Sequence, residues 1–179
     1  MTLFSATLVC GLVLVTIGGL FLAGSPAIVS VLKALPRSRL ATIVLFGAAT
    51  VWFLAKVWTL SEADFGEYRK ILFVAFGVVA IASFFCVPDF LAVRGLAALM
   101  LLAAMPLLDA AYMQYNLPQR LFMVAAVYLG IIGAIYLGAV PFRLRDFLGW
   151  VFNQPVRSRV FGGTLAAYGL LLAVIAFTY

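Results

Sequence analysis

Apolar positions along this chain come in long runs, and polar positions are gathered between them. No charged residue occurs from Met1 to Leu32. Hydrocarbon about 30 Å thick is crossed by about 20 apolar residues in a helix. Six runs approach that length, at residues 5–24, 40–60, 71–87, 95–113, 121–140 and 160–179. The third is short and is open to an earlier start in the preceding loop. The pattern predicts an all-α, integral membrane six-helix bundle, a single transmembrane domain over residues 1–179 with no soluble domain. No basic region precedes the first run, and Pro26 directly follows Ala23-Gly24-Ser25. The first helix is therefore expected to be retained and not cleaved as a signal peptide.

The polar segments add orientation. The linkers after the first, third and fifth runs carry Lys33, Arg37, Arg39, Arg94, Arg143, Arg145, Arg157 and Arg159. The opposite side carries only Lys56, Arg69, Lys70 and Arg120, together with the acids Glu62, Asp64, Glu67 and Asp109. Basic loops stay in the cytoplasm. Both termini are thus predicted outside, with the interfacial basic residues Lys33, Arg37, Arg39, Arg143, Arg145, Arg157 and Arg159 on the cytoplasmic face.

Composition narrows the function classes. Of the residues, 66% are hydrophobic and 10% charged, with a mean hydropathy of +1.20. A soluble domain carries about 25% charged residues, and no soluble fold of this size hides so much apolar surface. A soluble enzyme, a disordered chain and a disulfide scaffold are excluded. The chain has no histidine, and its two cysteines, Cys10 and Cys86, lie in apolar runs. Histidine-ligated metal or haem and four-thiolate clusters are therefore ruled out. No metal and no cofactor is expected. The net charge of +6 is a topology signal beside apolar runs and does not point to nucleic acid.

The first and last pairs of runs look alike. Gly18-Gly19-Leu20-Phe21-Leu22, Pro26 and Pro36-Arg37-Ser38-Arg39 are echoed by Gly133-Ala134-Ile135-Tyr136-Leu137, Pro141 and Pro155-Val156-Arg157-Ser158-Arg159. The middle pair has a reduced form, Val87-Pro88-Asp89 and then Arg94. The expectation is a bundle built from three helical hairpins, by internal repetition or by convergence on proline and arginine at a membrane boundary. Both longer linkers read as short amphipathic interfacial helices. Leu144, Phe147, Leu148, Val151 and Phe152 form one stripe, opposite Arg143, Asp146 and Asn153, with Trp150 as an interface anchor. Ile28, Val31, Leu32 and Leu35 form the other, opposite Ser30 and Lys33. Each stripe suits a bilayer surface, or a partner or anionic lipid.

Gly11-Leu12-Val13-Leu14-Val15, Gly19-Leu20, Pro26, Leu32, Leu35-Pro36, Arg39 and Gly47 resemble a short two-helix family of uncharacterised bacterial inner-membrane proteins. The last hairpin resembles it more loosely, and the middle one departs from it. The resemblance implies a bacterial inner-membrane setting and no known activity.

Two charges fall inside the runs. Lys56 lies 17 residues after Arg39 and Asp109 lies 15 after Arg94, so both sit towards the outer face. They form a candidate intramembrane polar pair, a binding layer near Trp52, Trp58, Tyr112 and Tyr115, or they meet water separately by snorkelling and at a helix end. Small residues recur at helix-packing spacing: Gly130, Ala134 and Gly138 on the fifth run, and Gly162–Ala166 and Gly163–Ala167 on the sixth. Such faces let backbones approach closely. They serve packing between the fifth and sixth helices, or form a face for oligomerisation or a partner subunit. Phe73, Phe76, Phe84 and Phe85 suit lipid or an apolar partner, and Pro106 is expected to kink the fourth helix. No phosphate loop, nucleophile elbow or paired acid motif is present.

These features lead to a non-enzymatic structural, accessory or assembly component of the cytoplasmic membrane. Its partners are the lipid bilayer and either a membrane protein or a second copy. The alternative is a small transporter or channel with a polar layer around Lys56 and Asp109.

Overall fold

The computed structural model describes residues 1–61, 65–87 and 89–179. Among them the chain is all-α, with no strand. Six helices are long and apolar enough to cross a membrane: α1 (Leu3–Ala23), α3 (Arg39–Trp58), α4 (Gly66–Cys86), α5 (Leu91–Ala111), α6 (Arg120–Ala139) and α8 (Pro155–Ala176). Two shorter helices, α2 (Pro26–Ala34) and α7 (Phe142–Val151), occupy the linkers where amphipathic helices were expected. Glu62, Asp64 and Pro88, which entered the charge count and the reduced motif, lie outside the described residues.

The helix ends follow from local chemistry. Thr2 caps α1 by accepting from the Ser5 amide. Gly24 stops α1 in the left-handed region at φ 51°, where glycine carries no Cβ penalty. Ser25 then caps α2, with Pro26 in its first turn. Ser38 caps α3 by accepting from the Ala41 amide. α4 does begin in the preceding loop, with a 3₁₀ turn at Gly66–Tyr68. α5 continues through Pro106, which lacks the N–H that would reach the Leu102 carbonyl.

Small residues determine which helices close on each other. The most extensive interface joins α1 and α8, the first and last spans. Gly11 lies against Gly169, and Gly18 against Gly162, so the two helices run antiparallel. A Cβ built on Gly18 would stand 2.6 Å from the Ala166 amide nitrogen and 2.7 Å from the Gly162 carbonyl oxygen. The Ser158 hydroxyl adds a buried hydrogen bond to the Phe21 carbonyl. At the other end, the Phe4 and Phe177 rings meet edge to face at 5.5 Å.

The second seam joins α5 and α6. Ala104, Ala110, Ala111, Met123 and Val127 are buried there, in a core shared with Leu3, Ala6 and Leu172 of α1 and α8. The Arg120 guanidinium hydrogen-bonds the Ala111 carbonyl and lies 4.8 Å from the Tyr115 ring centroid, tying the end of α5 to the start of α6. α3 packs on the other side of α5, and α4 packs on α3. The spans thus follow the order α8, α1, then α5 with α6, then α3, with α4 at the far edge. No residue from Arg69 to Cys86 is buried.

The three-hairpin arrangement is not confirmed by this packing. The principal neighbours are the first and sixth, fourth and fifth, second and fourth, and second and third spans. α6 and α8 meet through a hydrogen bond from the Tyr168 hydroxyl to the Phe122 carbonyl, at 2.9 Å, and have no seam comparable to that of α1 and α8. The physical reason lies in the linkers. A linker that contains a helix fixes only the side to which the chain returns, and close-packing faces select the neighbour.

All three basic linkers lie at one end of the bundle. α2 touches α7, and the turn at Leu35–Arg37 touches both α5 and α7. The stripe predicted on α7 is buried against the ends of α1 and α8: Leu148 and Val151 are buried with Phe21, and Phe147, Phe152 and Phe161 pack around them. α2 buries no residue, and Val31 on its stripe is exposed.

Candidate functional site

Lys56 and Asp109 are both exposed, and they do not form an ion pair. Among the described residues, the one salt bridge within 4.0 Å is Arg145–Asp146 at 2.8 Å, on the surface of α7. Counting from Arg39 and from Arg94 gives Lys56 and Asp109 similar depths only if those two arginines are level. In the structure, Gly95 of α5 abuts the backbone of Phe46, where its built Cβ would lie 2.5 Å from the Phe46 nitrogen. Arg94 is therefore level with Leu45 and not with Arg39. With that register, Asp109 lies four residues further along than Lys56, about 6 Å at 1.5 Å per residue. The aromatic neighbours also diverge. Trp58 packs on Phe73 of α4, at 5.4 Å, with Arg69 over its ring, whereas Tyr115 stacks under Arg120.

The small residues are placed on different seams from those expected. Ala134 is fully buried. Gly130 faces the Met100 methyl and Gly138 faces Ala97, so this face of α6 serves α5 and not α8. Gly162 and Ala166 serve α1, Gly163 is at the margin of that seam beside Leu22, and Ala167 is exposed. The correction has a simple cause. Spacing by four identifies a face but not its partner. The missed signal was spacing by seven, Gly11–Gly18 on the first span and Gly162–Gly169 on the last. These glycines sit at the same interval on two antiparallel helices, so both pairs can meet at once.

The basic residues are mostly free at their end of the bundle. Arg37 lies 5.4 Å from the Phe90 ring centroid, Arg143 5.7 Å from that of Phe142, and Arg157 4.7 Å from that of Trp150. The side chains of Lys33, Arg39, Arg94 and Arg159 make no hydrogen bond, ion pair or ring contact among the described residues. Arg39 and Arg94 are exposed at the starts of α3 and α5.

A groove of ≈ 430 Å³ opens between α3, α4 and α5. Phe46, Thr50 and Phe53 line it from α3, Phe76, Ala80 and Ser83 from α4, and Ala98, Leu101 and Leu102 from α5. Two edge-to-face ring pairs hold its α3–α4 wall, Phe46–Phe84 at 5.2 Å and Phe53–Phe76 at 5.0 Å. The lining is apolar except for two hydroxyls. Ser83 turns its own back to the Val79 carbonyl at 2.7 Å. The wide turn of π-helix at Thr42–Phe46 brings α3 against Gly95 at the basic end of this groove. The groove is not visible in the sequence, because it needs faces from three helices.

The groove and the free arginines can bind an apolar chain or an anion. Among the described residues, no group of three or more Cys, Asp or Glu is placed to hold a metal ion. Comparison with models of protein families, with curated proteins and with solved structures finds no match.

Proposed function

We propose that this chain is a non-enzymatic, multi-pass component of a cytoplasmic membrane that acts by binding a membrane partner, as a structural, accessory or assembly subunit. The observation that supports this reading is the exposed apolar outer face of α4. Ile71, Val74, Val78, Ile81 and Phe85 are all exposed, at 60–81%. They recur at alternating intervals of three and four, the period at which one helix seam packs against another. They lie on the face opposite Phe76, Ala80 and Ser83, so this surface is separate from the groove. The first and last spans, by contrast, are closed on each other by glycine contacts.

The resemblance of the first hairpin to small bacterial inner-membrane proteins favours that setting. The distribution of basic residues favours a cytoplasmic face for the linkers and an outer location for both termini. The transport alternative rested on a polar layer of Lys56 and Asp109, and their separation lends it no support.

Purification of the full chain in mild detergent tests the reading. A stoichiometric second membrane protein or a second copy is expected, and Val78→Trp should displace it while leaving the melting profile unchanged. A lone monomer, or a complex unaffected by Val78→Trp, Val74→Trp and Ile81→Trp, contradicts it.

A further inference from the structure

The groove between α3, α4 and α5 has the make-up of a lipid site, and we propose that it holds one acyl chain of an anionic phospholipid whose phosphate rests on Arg94. The inference takes the membrane reading as its premise and does not depend on a protein partner.

The apolar half of the argument is the groove itself. Its ≈ 430 Å³ falls within the roughly 300–1,000 Å³ of small-molecule sites. Apart from the Thr50 and Ser83 hydroxyls its walls are aliphatic and aromatic, as an acyl chain requires. Its depth runs from Phe46 and Ala98 near the basic end to Phe53 and Leu102, seven and four residues further along their helices.

The charged half is the position of Arg94. Ala98, Leu101 and Leu102 line the groove, and Arg94 precedes them by four, seven and eight residues, on the same face of α5. Its neighbour Gly95 touches the Phe46 backbone, so Arg94 lies at the mouth. It is exposed and unpaired among the described residues. A cation in the first turn of a spanning helix needs an anion or water. Asp89, the acid nearest in sequence, is exposed and makes no ion pair. Arg39 and Arg37 lie at the same end of the bundle and add positive potential. Basic positions between spanning helices on the positive side are where anionic headgroups are bound. A phosphate at Arg94 with its chain running down the groove satisfies both halves with one molecule.

Native mass spectrometry of the full chain after exchange into equal mixtures of phosphatidylglycerol and phosphatidylcholine, with matched chains, tests this. One phosphatidylglycerol is expected to be retained preferentially. Arg94→Gln should reduce that preference about fivefold, the worth of one basic residue at a membrane surface, and Arg94→Lys should keep most of it. Ala80→Phe fills the groove and should abolish retention of the tightly held lipid of either type. Leu101→Trp replaces it as the filling variant if Ala80→Phe does not fold. Equal retention of both lipids, an unchanged preference in Arg94→Gln, or a lipid that survives both filling variants overturns the proposal. Failure of the membrane reading would look different, because the protein would then not enter lipid nanodiscs at all.

Discussion

Gly18 and Gly19 are neighbours in one helix, and the structure assigns them opposite sensitivities. A Cβ on Gly19 would have no atom within 4 Å. A Cβ on Gly18 would lie 2.6 Å from the Ala166 nitrogen, 2.7 Å from the Gly162 oxygen and 2.9 Å from the Ala166 Cβ. The first two are backbone atoms, so no side chain can swing away. To restore ordinary contact, α1 and α8 must part by roughly 0.8 Å, and a gap of about 0.5–1 Å forfeits a quarter to a half of each dispersion well. Replacing glycine by alanine also gains up to about 1 kcal/mol in helix propensity. That gain is common to both positions and cancels in their difference. The difference between Gly18→Ala and Gly19→Ala therefore isolates the steric cost, about 1–3 kcal/mol. Gly19→Ala should leave stability unchanged or raised, and Gly18→Ala should lower it. The assay is reversible unfolding in mixed micelles, read by the rate at which Cys10 becomes reactive in a Cys86→Ser background. Cys10 packs against the core from α1, whereas Cys86 is exposed. Equal stability of the two variants, or a more stable Gly18→Ala, would refute the claim that these backbones touch.

Three further outcomes follow from the packing. Ser158→Ala leaves the buried Phe21 carbonyl without its side-chain donor and should destabilise the protein by about 1 kcal/mol or more in the same unfolding assay. Thr7 is fully buried and its hydroxyl has no partner among the described residues. Thr7→Val keeps the shape and should hold or raise the melting temperature, and a clear loss would show that the hydroxyl is engaged. Lys56→Gln and Asp109→Asn should have effects on stability that add within about 0.5 kcal/mol in a double-mutant cycle, and a larger coupling would restore the pair.

The spans were legible because charge is so scarce. An uncharged run such as Met1 to Leu32 has few readings besides a membrane helix, and the helix over Leu3–Ala23 lies within it. The linker helix α7 was legible for a related reason, since Leu144, Phe147, Leu148 and Val151 keep helical spacing within a stretch too polar to span. Boundaries were less clear. α8 begins at Pro155, which suits a first-turn position, and so takes in Arg157 and Arg159, although their charge suggested a linker. Neighbours were not legible. Every span is apolar on all sides, so no hydrophobic stripe reports which face turns inward. Only backbone proximity at Gly11, Gly18, Gly162 and Gly169 carries that information, and glycine spacing alone does not name the partner helix. The same limit hid the groove. Its depth depends on Gly95 setting α5 against Phe46, a contact between residues 49 positions apart.

The fold turns on the first span closing against the last. Cross-linking by a short bifunctional thiol reagent in native membranes tests this directly, with Phe4→Cys and Phe177→Cys combined in a chain whose own two cysteines are replaced by serine. The Phe4 and Phe177 rings lie 5.5 Å apart, so rapid intramolecular cross-linking of the pair is expected, together with its loss when Gly18→Ala and Gly162→Ala are added. No cross-link in the intact bundle, with efficient cross-linking instead between the first and second spans, would contradict the closure and return the chain to three separate hairpins.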